Sequence, residues 1–140
     1  MSLSSIKIRD ISGWTMFIFG ALAFFLGVVG LVSPETLLRL LGFEVIERAQ
    51  RAAGDYTLTF MAASSMASFN MGVYYVLAAL NDLKKFYLWT VPFRAVTFTV
   101  FTLLVVTGFA PARFWGVGVW ELTGAIATGL ALFFERKRGM

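Results

Sequence analysis

Residues 86–110 read FYLWTVPFRAVTFTVFTLLVVTGFA. Apart from a few polar side chains the run is apolar, and it is as long as a helix needs to be to cross the hydrocarbon core of a bilayer. It nevertheless carries Arg94 well inside. A guanidinium at that depth costs roughly 2.5 kcal/mol or more unless it is paired or snorkels to the headgroups. Two things are then expected of the rest of the chain. Further apolar helices must surround this one, and one of them must bring Arg94 an acceptor.

The composition agrees with a bilayer setting. The chain has 140 residues, 59% hydrophobic and 14% charged, against roughly 25% charged for soluble domains. Mean hydropathy is +0.78. A soluble domain of this length cannot hide so much apolar surface, so lipid is expected to cover part of it, with residues 1–140 forming a single transmembrane domain. Cysteine and histidine are both absent. Disulfides, thiolate chemistry, the usual zinc ligand sets, histidine-ligated haem and imidazole acid–base catalysis are thereby excluded. The net charge of +4 resides on basic residues at the ends of apolar runs. Membrane lipids, not nucleic acid, are the expected partners. No metal and no cofactor are expected. No cleavable signal peptide is expected either, because the first apolar run is too long and Lys7 and Arg9 precede it as in a signal anchor.

Outward from the central run, three more spans are expected, at about 11–32, 56–80 and 115–134, with 86–110 as the third of four. Gly13, Gly20 and Gly27 recur every seven residues in the first and share roughly one helix face, where small residues let another backbone approach. Ser33-Pro34 ends it. Pro34 and Glu35 suit the first turn of a short interfacial helix over residues 34–41, rich in leucine and closed at Gly42. Glu47, Arg48, Arg51 and Asp55 read as a charged helical lead-in to the second span, with Arg51 and Asp55 spaced to pair. In the second span Ser64, Ser68 and Gly72 form a small-residue ladder and Asn70 is the strongly polar side chain. The turn at residues 81–85 is short enough to make spans two and three antiparallel neighbours. Pro92 frees a backbone carbonyl in span three. Trp14, Tyr56, Tyr87, Trp89, Trp115 and Trp120 lie near span ends, as interfacial aromatics do. Residues 135–138, Glu-Arg-Lys-Arg, read as a basic stop. The fold class is therefore all-α, an integral membrane four-helix up-down-up-down bundle with a short interfacial helix.

The expected polar site is Arg94, Glu121, Asn70, Thr90, Thr97 and Ser68. Thr90, Arg94 and Thr97 share a helix face, and Glu121 lies with Gly124, Ala125 and Thr128 on the small-residue face of span four. At about 1.5 Å per residue, Arg94 is roughly 12 Å in from its span end, Asn70 roughly 15 Å and Glu121 roughly 20 Å. Asn70 is thus level with Arg94, and Glu121 lies within partial reach. An intramembrane ionisable pair marks either a functional site or a salt bridge that fixes helix register. No nucleophile–base pair or glycine-rich phosphate loop is present, so no catalytic residue is assigned.

The order of features is a glycine-bearing span, Ser33-Pro34 with a leucine-rich segment, Arg51 and Gly54 opening a second span, a short turn, a span with inner Arg94, and a compact last span. This layout resembles the DoxX-like group of small four-helix membrane proteins. The resemblance implies the same four-helix fold. Members of that group include accessory membrane subunits and proteins linked to quinone-dependent sulfur oxidation, and the lack of cysteine here argues against a thiol-based redox role. The function expected from the sequence is a non-catalytic accessory or scaffold subunit, with a membrane protein partner or a second copy. The alternative is a binder or carrier of a hydrophobic small molecule, such as a quinone or lipid, at Arg94 and Glu121. An enzyme acting on a lipid-soluble substrate is the third class.

Lys7, Arg9, Lys84, Lys85, Arg136, Lys137 and Arg138 flank one side of the spans, and Arg39, Arg48, Arg51 and Arg113 the other. That asymmetry puts both termini in the cytoplasm, with the bacterial inner membrane as the expected location. Cysteines introduced singly at positions 44 and 113 should react with an impermeant reagent added outside the cell, and those at 5 and 138 should not. The reverse pattern would invert the topology.

Overall fold

A computed structural model describes residues 8–139; Lys7 and position 5 lie outside the described residues. Within them the chain is all-helical. The helices are α1 (Ile11–Val32), α2 (Pro34–Leu40), α3 (Thr57–Leu80), α4 (Lys84–Val106) and α5 (Trp115–Lys137), with 3-10 turns at Arg48–Gln50 and Ala112–Phe114. Three segments, Ile11–Val32, Lys84–Val106 and Ala112–Lys137, are long and apolar enough to cross a membrane. Thr57–Leu80 has the length but not the apolarity, because Thr57, Thr59, Ser64, Ser65, Ser68 and Asn70 dilute it.

Local chemistry sets the helix ends. Asp10 caps α1, its Oδ1 accepting from the Gly13 N–H at 2.8 Å. Pro34 occupies the first turn of α2, where its missing N–H is no loss. The expected third span extended to residue 110, but α4 stops at Val106. Gly108 takes φ +78°, and the N–H groups of Gly108 and Ala110 fold back on the carbonyls of Val105 and Leu104. The expected charged helical lead-in before α3 does not form. Arg51 is extended and Asp55 instead accepts from the Thr57 N–H at 2.9 Å, starting the helix there. The Arg51–Asp55 pair does form, at 2.7 Å. Arg48 reaches back 2.5 Å to Glu35 at the start of α2, and its hydrogen bond holds the Glu35 carboxyl down at about 2. This ion pair joins the loop to α2.

The long helices pack in two close pairs. In the first, α1 runs antiparallel to α3: Gly20 lies against Gly72 and Tyr75, Gly27 against Phe69, and Gly30 against Ser65. A methyl at Gly27 would stand 2.6 Å from the Phe69 backbone nitrogen, so the absent side chain is what allows the approach. Ser68 Oγ donates across this seam to the Ala23 carbonyl at 2.9 Å. In the second pair α4 runs antiparallel to α5, with Gly118 beside Phe98 and Phe101 and Gly129 beside Val91. Between the pairs, the hydroxyls of Thr15 and Thr128 meet at 2.9 Å. Leu37 of α2 lies over Gly30.

The short turn does not keep α3 and α4 together along their length. They touch near it, where the Tyr87 hydroxyl donates to the Ala78 carbonyl at 3.1 Å and Tyr75 meets Phe86 edge-on. Beyond that point few contacts join them, because α3 follows the α1 seam and α4 follows α5. Tyr87 is therefore not an interfacial aromatic; it is fully buried in a cluster with Met16, Phe19, Ala78 and Ala79.

Gly27→Val should lower thermal stability in mild detergent by roughly 1–3 kcal/mol, while Gly54→Ala, with nothing within 4 Å, should leave it unchanged. Equal melting temperatures for the two variants would refute the close α1–α3 approach.

Candidate functional site

Arg94 is 3% exposed, at the middle of the chain's second helix pair. Its Nε donates to Glu121 Oε2 at 2.8 Å. The Phe19 ring lies 3.9 Å from the guanidinium carbon and the Tyr75 ring 5.8 Å, both at cation–π range. Gly124 makes the space. A methyl there would be 2.5 Å from the guanidinium carbon and equally close to the Phe19 ring. The Trp120 ring stacks on Phe19 at 4.2 Å. Arg94 is thus held from α1 and α5 together.

Only one of its five N–H donors is used among the described residues. Nη1 and Nη2 are buried without a hydrogen-bond partner, a state that costs about 1–3 kcal/mol per group in a protein interior. Arg94 and Glu121 both line a half-open groove of about 590 Å³, which occupies the gap where α3 and α4 separate. Phe19, Tyr75 and Trp120 surround its polar end, and Leu37, Leu41, Phe43 and Phe114 its far end. Met71 and Phe93, both exposed, border it on α3 and α4. The arrangement places one ion pair, Arg94 and Glu121, on a mostly apolar wall.

The other expected site residues divide. Thr97 and Ser68 line the groove, although their hydroxyls are engaged by the Phe93 and Ala23 carbonyls. Thr90 faces away, donating to the Tyr87 carbonyl at 2.8 Å and touching the Met16 sulfur. Asn70 neither lines the groove nor bonds Arg94. The groove face of α3 is Met61, Ser64, Ser65, Ser68, Met71 and Tyr75, and Asn70 lies off that stripe. Helical rise matched its depth to Arg94, but depth says nothing about which way a side chain points.

A second polar cluster, not anticipated, closes the end of the helices nearest the α3–α4 turn. Glu135 is buried; Oε1 accepts from the Ser12 N–H at 2.9 Å, and Oε2 accepts from Ser12 Oγ and Lys84 Nζ, each at 2.8 Å. Lys84 also bonds Asp10 and Ser12 Oγ. Partial burial works to raise the Asp10 carboxyl, but the hydrogen bonds from Lys84 and Gly13 outweigh it and hold the group below its ordinary value. Residues 135–138 are therefore more than a basic stop, and Lys84 belongs to α4, not to the turn expected over residues 81–85. The signal was present: Glu135 continues the face of Glu121, Thr128 and Ala131 at helical spacing, and Asp10-Ile11-Ser12-Gly13 reads as a helix cap.

No family model, curated protein or solved structure matches this chain.

Arg94→Leu and Glu121→Leu should each destabilise the protein in detergent by roughly 1–3 kcal/mol, because each strands the other's polar group. The double variant should recover part of the summed loss. Strictly additive losses in thermal melts would show that the two side chains are not coupled.

Proposed function

We propose that this chain is an integral membrane protein whose four long helices cross the bilayer up-down-up-down, with both termini on the cytoplasmic side, and that it binds an amphipathic small molecule in the groove between α3 and α4. The observation that carries the reading is that Arg94, which lines a mostly apolar groove beside Glu121, keeps two buried nitrogens without a partner among the described residues. Donors held in place and shielded from water are what a site needs in order to orient a ligand. Large apolar side chains such as Phe93, Val106 and Phe109 are more than 70% exposed, which supports a lipid-facing surface. In that setting the small and hydroxylated residues of α3 face α1 and the groove.

This departs from the accessory-subunit expectation, which rested on the lack of reactive groups. A scaffold has no use for unsatisfied donors at its centre, whereas a binder does. The half-open groove, bordered by exposed Met71 and Phe93, supports loading from within the bilayer.

Native mass spectrometry of the protein extracted in mild detergent should reveal one retained small molecule per chain. The Arg94→Leu, Glu121→Leu double variant should fold and lose it. A stoichiometric protein partner with no retained molecule would instead return the reading to an accessory subunit.

A further inference from the structure

The two requirements of Arg94, charge balance and hydrogen-bond acceptors, are met unequally. Its charge is balanced by Glu121, in contact at 2.8 Å. Its hydrogen bonding is not, since Nη1 and Nη2 have no partner among the described residues. The site therefore lacks acceptor lone pairs but does not lack a negative charge. A carbonyl or ester oxygen supplies lone pairs alone. A carboxylate or phosphate supplies them with a second negative charge. That charge must lose its water in an apolar groove and stand one guanidinium away from the Glu121 carboxylate. Low local polarity strengthens the anion's attraction to the guanidinium and its repulsion from Glu121 alike, so a pair that is already neutral offers no uncompensated charge to offset the lost water. The rest of the groove is mostly aromatic and aliphatic, and the hydroxyls of Ser65, Ser68 and Thr97 on its wall are already given to backbone carbonyls, so the body of the ligand must be largely apolar.

We infer that the groove selects an uncharged amphipathic molecule, with an apolar body and carbonyl-type oxygens that accept from Nη1 and Nη2 of Arg94, and that Glu121 is the specificity-determining residue that rejects fatty-acid-like and phosphate-bearing anions. The inference rests on the binding reading above and narrows it from amphipaths in general to neutral acceptors. Glu121 does two jobs. It compensates Arg94 when the groove is free, and it sets the charge that a ligand is allowed to carry. Gly124 keeps the guanidinium seated beside Phe19, so that its donors stay fixed relative to the groove.

The probes are dibrominated stearic acid and its methyl ester, which share an apolar body and differ in charge at a pH of about 9, above the ordinary carboxyl range. Bromine quenches tryptophan fluorescence on contact, and Trp120 lines the groove. The specific signal is the quenching that disappears in Trp120→Phe. In the wild-type protein the ester should bind at least tenfold more tightly than the carboxylate. Glu121→Gln keeps the shape and an acceptor oxygen but removes the charge, and should reverse the order, with the carboxylate at least tenfold tighter. A wild-type preference for the carboxylate, or an unchanged order in Glu121→Gln, overturns the assignment of a neutral ligand while leaving the groove as a binding site. Failure of both probes to quench Trp120 in either protein overturns the binding reading itself. The wild-type comparison decides the charge preference even where Glu121→Gln is unstable.

Discussion

A guanidinium in the middle of an apolar helix must be compensated before that helix can be buried, and the arrangement of the other helices meets that condition. Glu121 supplies the charge from α5, Phe19 supplies an aromatic face from α1, and Gly124 supplies room. Two of them come from one turn of α5 and the third from α1, so they converge on Arg94 only if α1, α4 and α5 keep one register. A shift of one residue on α5 would carry Glu121 about 100° around the helix and away from Arg94. The ion pair is therefore a register device as well as a site. The two roles are compatible because the pair uses only one of the five donors on Arg94.

The same logic recurs at the end of the molecule near the α3–α4 turn. Lys84, Asp10, Ser12 and Glu135 join the first turns of α1 and α4 to the last turn of α5. Glu135 satisfies the Ser12 N–H at the start of α1, a donor that no carbonyl within the helix can reach. Glu135 is two heptads from Glu121, so one face of α5 carries both carboxylates. The outer one is fully engaged by its partners. The inner one is 27% exposed at its side chain and borders the groove. That difference in engagement separates a structural clasp from a site with bonding capacity to spare.

The groove itself results from unequal close packing. Glycines bring the backbone of α1 against α3, and others let α5 fit against α4. Between α3 and α4 no comparable seam exists beyond Ala78 and Tyr87. Two tightly closed pairs that share a turn but not a seam must diverge, and the divergence leaves an apolar trough with Arg94 on its wall. Filling it with side chains would require larger residues where Ser64, Ser65 and Ser68 stand. Those small side chains hold the volume open.

The sequence by itself determined much about this protein. Long apolar runs broken by Ser33-Pro34, residues 81–83 and Gly108-Pro111 place four long helices and one short one. The seven-residue glycine spacing marks the seam of α1, and the burial cost of Arg94 requires an acid, for which Glu121 was the candidate on a small-residue face. These are properties of single helices and of their solvent, and they can be read along the chain. Tertiary structure alone decided the rest, because it depends on rotation about helix axes and on which pairs of helices close. Asn70 has the right depth and the wrong azimuth, Tyr87 turns into the core instead of the interface, and the two helices joined by the shortest turn are those that part to form the groove. Glu135 lies between these cases. Its spacing along α5 was visible in the sequence, but its value emerged only when α1 and α4 brought Ser12 and Lys84 to meet it.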